Sequence, residues 1–235
     1  MLYIGTNHLG NFSDTPLKII NLIKSVDCVI VEFEEQFLLQ LKELKLQTPQ
    51  YIIFEQSVEF YKRVIEMVKS GKNVLLLNEM GCAGVADPGS DLIDEAIKEQ
   101  IPIETVAGPS ISPLAVASSG YSCQGFISIE TFNKTDEEID QKLIELQNLN
   151  YAIVILEKKE RVLDVVKMSD KIFKDRGLCL CINIGWPGHQ KIIKSSITGI
   201  IEILENNTIE SVYGMTNSPS LVTMVFGPFS DKNIA

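Results

Sequence analysis

Val74-Leu75-Leu76-Leu77-Asn78-Glu79-Met80-Gly81-Cys82-Ala83-Gly84-Val85-Ala86-Asp87-Pro88-Gly89-Ser90-Asp91 is the stretch on which the reading of this chain turns. Four apolar residues make a short buried strand, which runs directly into a loop holding three glycines, two acids and a proline. Ser90-Asp91 then opens a helix whose apolar face includes Leu92 and Ile97. In open α/β sheets, ligands collect where strand carboxyl ends meet such loops. Glycine permits positive φ and close backbone approach, which exposes main-chain N–H groups. The plain alternative is a long strand-to-helix connection with turn residues and no ligand.

The same alternation extends in both directions. Upstream, strands at Leu2–Gly5, Cys28–Val31 and Tyr51–Phe54 are separated by helices. One starts at Thr15-Pro16, one is striped by Phe37, Leu38, Leu41 and Leu44, and one is capped by Ser57 and ended by Gly71. Downstream come a strand at Ile103–Val106 and a helix through Leu114 to Ser119. Strands alternating with helices of this length mean βαβ units and a largely parallel sheet. A second α/β half follows, with strands at Phe126–Ile129, Tyr151–Leu156, Leu178–Ile184 and Ser220–Phe226. Thr135-Asp136-Glu137-Glu138 reads as a capping box, and Val162 to Ile172 and Ile197 to Leu204 as helices. The expected fold is therefore two α/β domains with mostly parallel or mixed sheets, residues 1–108 and 109–235.

With 235 residues, roughly 70–75% of the unfolded surface can be buried, so no covalent staple is required. The five cysteines form no C-x-x-C pair. Cys28, Cys179 and Cys181 lie in apolar runs and read as core thiols of a reducing compartment. Met1-Leu2-Tyr3-Ile4 is too short an apolar run for a signal segment, and no run approaches a membrane span, so a cytoplasmic protein is expected. A net charge of −10 repels phosphate overall. Lys158, Lys159, Arg161, Lys167, Lys171, Lys174 and Arg176 make a mixed, weakly basic segment, best read as a solvated helix face. There is no G-x-G-x-x-G after the first strand and no G-x-x-x-x-G-K-[ST], which disfavours a nicotinamide site and excludes a P-loop. Two histidines, His8 and His189, do not make a metal site, although His8 on the first loop is expected to titrate near neutral pH.

Two readings stand at each candidate acid. Glu79 directly follows a strand and is either a functional acid or an acceptor that orders its loop. Glu157 is either a base or the partner of Arg161 at i+4. Asp87, held extended by Pro88, orders the loop. Trp186 either walls a ligand or caps the core.

Leu9-Gly10-Asn11 with Asp14, Val26-Asp27 with Glu32, the stretch from Asn78 to Gly89, Gly108-Pro109-Ser110 and Trp186-Pro187 stand in one order along nearly the whole chain. This set resembles the tetrapyrrole methylase superfamily, and within it the ribosomal RNA small-subunit 2′-O-ribose methyltransferase branch. Its motifs there are "IGN", "VD…E", "SDAGTPGISDPG" and "PGPSA", with a "WP" loop in other members. The resemblance implies an S-adenosylmethionine-dependent methyltransferase, a homodimer, and a cofactor cleft between two domains. It assigns the cofactor to Gly10, Asn11, Asn78, Glu79, Met80, Gly81, Asp87, Pro109, Ser110, Leu156, Trp186 and Pro187, with no metal and with Glu79 and Glu157 as catalytic candidates. The implied acceptor is ribosomal RNA; the alternatives are a tetrapyrrole-like small molecule, or a member that binds cofactor or RNA without catalysis. Departures fall on the cations. "EDTR" is Glu32-Phe33-Glu34-Glu35 here, "YESPHR" keeps Glu157 and Arg161 alone, and "RELTK" becomes Asn183-Ile184-Gly185-Trp186-Pro187.

Overall fold

The computed structural model describes residues 1–86, 89–207, 209–213 and 221–229. The chain divides into two compact units, Met1–Ser110 and Ile111–Ala235.

The N-terminal unit runs β1 (Leu2–Ile4), α1 (Leu17–Ser25), β2 (Cys28–Val31), α2 (Glu34–Glu43), β3 (Tyr51–Ile53), α3 (Val58–Lys69), β4 (Val74–Leu77), α4 (Ser90–Lys98) and β5 (Ile103–Thr105). Its sheet has the order β3-β2-β4-β1-β5, and every pairing is parallel. Period-two alternation assigns the faces. Val74 and Leu76 join Leu2, Ile4 and Ile30 against Val64, Leu92 and Ala96 of α3 and α4. Leu75 and Leu77 join Val29 and Val31 against Ile19, Ile23, Phe37 and Leu41 of α1 and α2. Both faces are covered, which is why these strands are apolar throughout rather than alternating.

This winding has a consequence for the site. β1 and β2 feed helices on one face of the sheet, while β4, which lies between them, feeds a helix on the other. Connections that leave adjacent strands toward opposite faces open a crevice at the carboxyl ends, the general ligand position of open α/β sheets. The loops after β1, β2 and β4 meet there.

The C-terminal unit continues with α5 (Ile111–Ser119), β6 (Phe126–Glu130), α6 (Asp136–Leu146), β7 (Ala152–Lys158), α7 (Val162–Ile172), β8 (Gly177–Ile182), β9 (Lys191–Ser196), α8 (Ile197–Asn206), α9 (Ile209–Tyr213) and β10 (Leu221–Phe226). Its sheet, β6-β7-β10-β8-β9, is mixed: β6 and β7 are parallel and the remaining pairs antiparallel. Helices α6, α7 and α8 bury Ile139, Leu143, Val165 and Ile200 on one face. Helix α5 covers the other, where Ala115 meets Val154, Cys179, Cys181 and Val225. The expected capping box is present, with Thr135 Oγ1 accepting from the Glu138 N–H and Glu138 accepting from the Thr135 N–H.

Three elements depart from the sequence expectation. β9 and α9 are additional, and β8 ends at Ile182 rather than Ile184. Lys191-Ile192-Ile193-Lys194-Ser195-Ser196 lacks a buried face because β9 is an edge strand, largely exposed, so no apolar period marks it. Ser220, expected to open the last strand, lies outside the described residues, as do Asp87 and Pro88.

Candidate functional site

In the N-terminal unit the loops after β1 and β4 are zipped together. The Gly5 N–H donates to Leu76 O, the Asn7 N–H to Gly81 O, the Gly81 N–H to His8 O and the Ala83 N–H to Gly5 O, closing an antiparallel bridge between Thr6 and Cys82. Gly81, at φ +72, makes the turn that allows this. Gly108 crosses the same place, where a Cβ would lie 2.8 Å from Thr6 Cβ and 2.9 Å from the Thr6 carbonyl oxygen. Glycine is required there by space, and Pro109 and Ser110 follow half-buried.

Beneath the zip lies a buried amide network that the sequence reading did not anticipate. Gln40 Nε2 donates to Asn7 Oδ1 at 2.7 Å and to Thr15 Oγ1 at 3.1 Å. Asn7 Nδ2 reaches Gln40 Oε1, the Asn78 carbonyl at 2.9 Å and the Glu79 carbonyl at 3.1 Å. The side chains of α2 and the first loop thereby fix the main chain where β4 ends. One signal was present in the sequence: Gln40 falls on the inward stripe of Phe37 and Leu41, a polar residue at an apolar position.

The first loop corrects the expectation for His8. Its ring is buried, packs edge-on against Phe12, and accepts the Gly10 N–H on Nδ1 at 2.9 Å. Burial disfavours the imidazolium and lowers the pKa to about 4, so His8 is neutral across the physiological range. Gly10 sits at φ +102. Asn11 accepts from the Ser13 N–H and hydroxyl, capping a 3-10 turn over Phe12–Asp14. Met80 and Glu79 are half-buried at the turn.

A groove of about 370 Å³ opens beside Glu79, with Glu32, Phe33, Glu34, Glu35, Gln36 and Ile53 as its other walls. It adjoins a narrower pocket reaching Asn7, His8, Gln40 and Asn78. Glu34 is held by the Tyr51 hydroxyl at 2.5 Å.

In the C-terminal unit, Glu157 closes β7 and is fully buried. Its Oε1 accepts the Lys158 N–H at 2.6 Å, and Arg161 Nη1 stands 3.7 Å from Oε2. Arg161 is itself anchored by Asp136 and the Lys134 carbonyl, each at 2.9 Å. Leu156 is half-buried, and its carbonyl accepts from both the N–H and hydroxyl of Thr131. Trp186 is half-buried and Pro187 exposed, in a turn built on positive φ at Asn183, Gly185 and Gly188.

Among the described residues, five buried side-chain polar atoms have no hydrogen-bond partner: Asn78 Nδ2, Tyr121 Oη, Glu157 Oε2, Arg176 Nε and Trp186 Nε1. Native interiors leave few such atoms, and each needs a reason. Three of the five belong to residues that the sequence motifs had already singled out. No three His, Cys, Asp or Glu side chains gather as metal ligands among the described residues.

A doubly wound parallel unit followed by a mixed α/β unit, with glycine-rich loops at the strand ends, defines the class as an α/β protein of two sheets. The family model for Tetrapyrrole (Corrin/Porphyrin) Methylases matches residues 9–201, and the chain belongs to that family. Curated relatives include the ribosomal RNA small subunit methyltransferase I of Coprothermobacter proteolyticus, 29% identical over 213 residues that cover 85% of this chain and 94% of that protein. The protein of the same name from Thermotoga maritima is 26% identical, covering 87% and 91%. Among solved structures, a diphthine synthase superposes with a TM-score of 0.69 at 16% identity, covering 96% of this chain and 89% of that one. Uroporphyrin-III C-methyltransferase from Thermus thermophilus, complexed with S-adenosylhomocysteine, gives 0.60 at 14% identity, covering 96% of both. At these identities the structural likeness establishes the fold.

Proposed function

We propose that this chain transfers a methyl group from S-adenosylmethionine to a ribose 2′-hydroxyl of small-subunit ribosomal RNA. The acceptor is supported by curated relatives of that name, which match over most of both chains. The cofactor is supported by the family and by the observation that carries the reading at the level of atoms. Trp186, assigned to it by motif, and Glu157, the catalytic candidate, hold buried polar atoms with no hydrogen-bond partner, a donor and an acceptor. A sulfonium nucleoside bears hydroxyl and ammonium donors as well as ring acceptors, so it fits a mixed donor and acceptor set. When bound, it supplies an electrophilic methyl group.

The chain's own part is positioning and proton handling. The zipped turn at Gly81, fixed from beneath by Asn7 and Gln40, holds Glu79 and Met80 against the cofactor, with Gly10, Asn11, Asp87, Pro109 and Ser110 assigned to the same task. Leu156, Trp186 and Pro187 complete the proposed contacts. Glu79 and Glu157 are the proposed acids, and Glu157 Oε2, which faces Arg161 at 3.7 Å and carries no hydrogen bond, is suited to accept a proton or a hydrogen bond. A cytoplasmic homodimer with domains at 1–108 and 109–235 belongs to the same proposal, and light scattering at twice 26.2 kDa tests the assembly.

Tritiated-methyl transfer to small ribosomal subunits, intact and stripped of protein, tests the acceptor. Label recovered on a base, and not in the alkali-resistant dinucleotides that a ribose 2′-O-methyl group leaves, would overturn it. A second reading, methylation of a tetrapyrrole-like small molecule, is favoured by Glu35, which stands where the RNA branch carries an arginine. Tight cofactor binding with no label in ribosomal RNA is the result that selects it.

A further inference from the structure

Trp186 is the single tryptophan of the chain, and its indole nitrogen makes no hydrogen bond that could anchor the ring. The loop that carries it, residues 183–190 between β8 and β9, therefore sets where the ring stands. One residue closes that loop. The Asn183 carbonyl accepts the Trp186 N–H at 3.0 Å, and Asn183 Nδ2 donates to the His189 carbonyl at 3.2 Å. The Trp186 carbonyl in turn accepts from the N–H groups of His189 and Gln190. These contacts form a ring with Trp186 at its centre and Asn183 at its mouth. Asn183 Nδ2 also donates to the Tyr213 carbonyl at 3.1 Å, at the end of α9, where helix carbonyls lack partners of their own. Asn183 is 7% exposed and sits at φ +54, which Asn adopts more readily than most residues.

We propose that Asn183 is a positioning residue, which sets where the Trp186 indole stands against the cofactor. That the ring meets S-adenosylmethionine rests on the methyl-transfer reading; that Asn183 places the ring does not. The position needs a left-handed backbone and a carboxamide with two hydrogens to give. Gly has the backbone without the donors, and Asp has acceptors in their place, so the two substitutions remove the carboxamide's part without forcing the chain. Lys191 supplies a control. Its Nζ donates to the Ser211 carbonyl at 2.7 Å, tying β9 to α9 without entering the ring of contacts around Trp186.

The test uses the full chain and the emission of Trp186, to which no second tryptophan contributes. In the parent, S-adenosylhomocysteine changes the emission and slows its quenching by acrylamide. Asn183→Gly raises the acrylamide quenching constant of the free chain at least twofold and weakens S-adenosylhomocysteine binding at least fivefold by calorimetry. It raises KM for S-adenosylmethionine by a similar factor while kcat holds within about twofold, the pattern of lost binding rather than lost chemistry. Asn183→Asp carries the same expectation and stands in if Asn183→Gly does not fold. Lys191→Met changes each of these quantities less than twofold. Asn183 variants that melt earlier yet keep parental quenching and affinity overturn the proposal, because the residue is then structural only. Equal losses from Lys191→Met overturn it as well, since they assign the effect to the anchoring of α9. A parent chain that shows neither an emission change nor heat with S-adenosylhomocysteine overturns the methyl-transfer reading instead, and the quenching of the free chains still decides for or against Asn183.

Discussion

Gln40 is 2% exposed and polar, and its value lies in what it holds. Through Asn7 it fixes two successive carbonyls, those of Asn78 and Glu79, at the end of β4. Gln40→Leu keeps the volume and strands the Asn7 carboxamide, which costs about 1–3 kcal/mol. The expected result is a lower thermal midpoint together with at least a fivefold weaker S-adenosylmethionine affinity by calorimetry. Thr15→Val removes the other branch of the network and leaves the Asn7 pair intact. It is expected to lower the midpoint and spare the affinity; parity between the two variants in affinity would remove the positioning role. His8 makes a pH prediction. Its folded pKa, about 4, lies below the ordinary 6.5, so the unfolded chain binds the extra proton between those values. Stability is therefore full above about pH 6.5 and falls on acidification to about pH 4, by up to about 3 kcal/mol from this residue. Urea melts at pH 4.5 and 7 show a smaller difference in His8→Gln than in the parent. An equal difference would mean the burial of His8 has no such linkage.

At the scale of elements, the crossing of Gly108 over Thr6 is a tight point near the site. Gly108→Ala pushes against a main-chain oxygen that the Thr6–Cys82 bridge holds in place, so it is expected to destabilise by about 1–3 kcal/mol. A denaturation midpoint unchanged within error would show that the crossing gives way easily. Thr135→Ala loses the capping box of α6 at a cost of about 1 kcal/mol, read the same way. These elements differ in how legible they were. The parallel sheet could be read from sequence because its central strands are buried on both faces and each strand is punctuated by Pro, Gly or Ser. The capping box announces itself in four consecutive residues. β9 could not be read, because an exposed edge strand has no buried face to set a period. The amide network was also hidden: Asn7 and Gln40 are 33 residues apart, and pairing of polar groups leaves no periodic trace. The motifs did point to Asn78, Glu157 and Trp186, but not to the buried atom without a hydrogen bond that each of them carries.

For the molecule as a whole, family membership fixes the fold and the class of chemistry, while the charge distribution governs the partner. A net charge of −10 with an acidic groove at the N-terminal sheet is poorly suited to gripping phosphate directly. If that charge keeps the chain from gripping RNA directly, methyl transfer to intact subunits should exceed that to protein-free RNA. Its salt dependence should also be shallow compared with the slope of about −0.9 per phosphate contact expected for a direct nucleic-acid grip. Stripped RNA methylated faster than subunits would argue for a direct grip.

Beneath all of this lies the claim that the chain binds a charged sulfur nucleoside. Isothermal titration of the full chain with S-adenosylhomocysteine measures it most directly. The account predicts saturable binding at one site per chain, weakened by Glu79→Ala and by Trp186→Ala. No heat of binding at millimolar ligand, from protein that melts cooperatively, would contradict it.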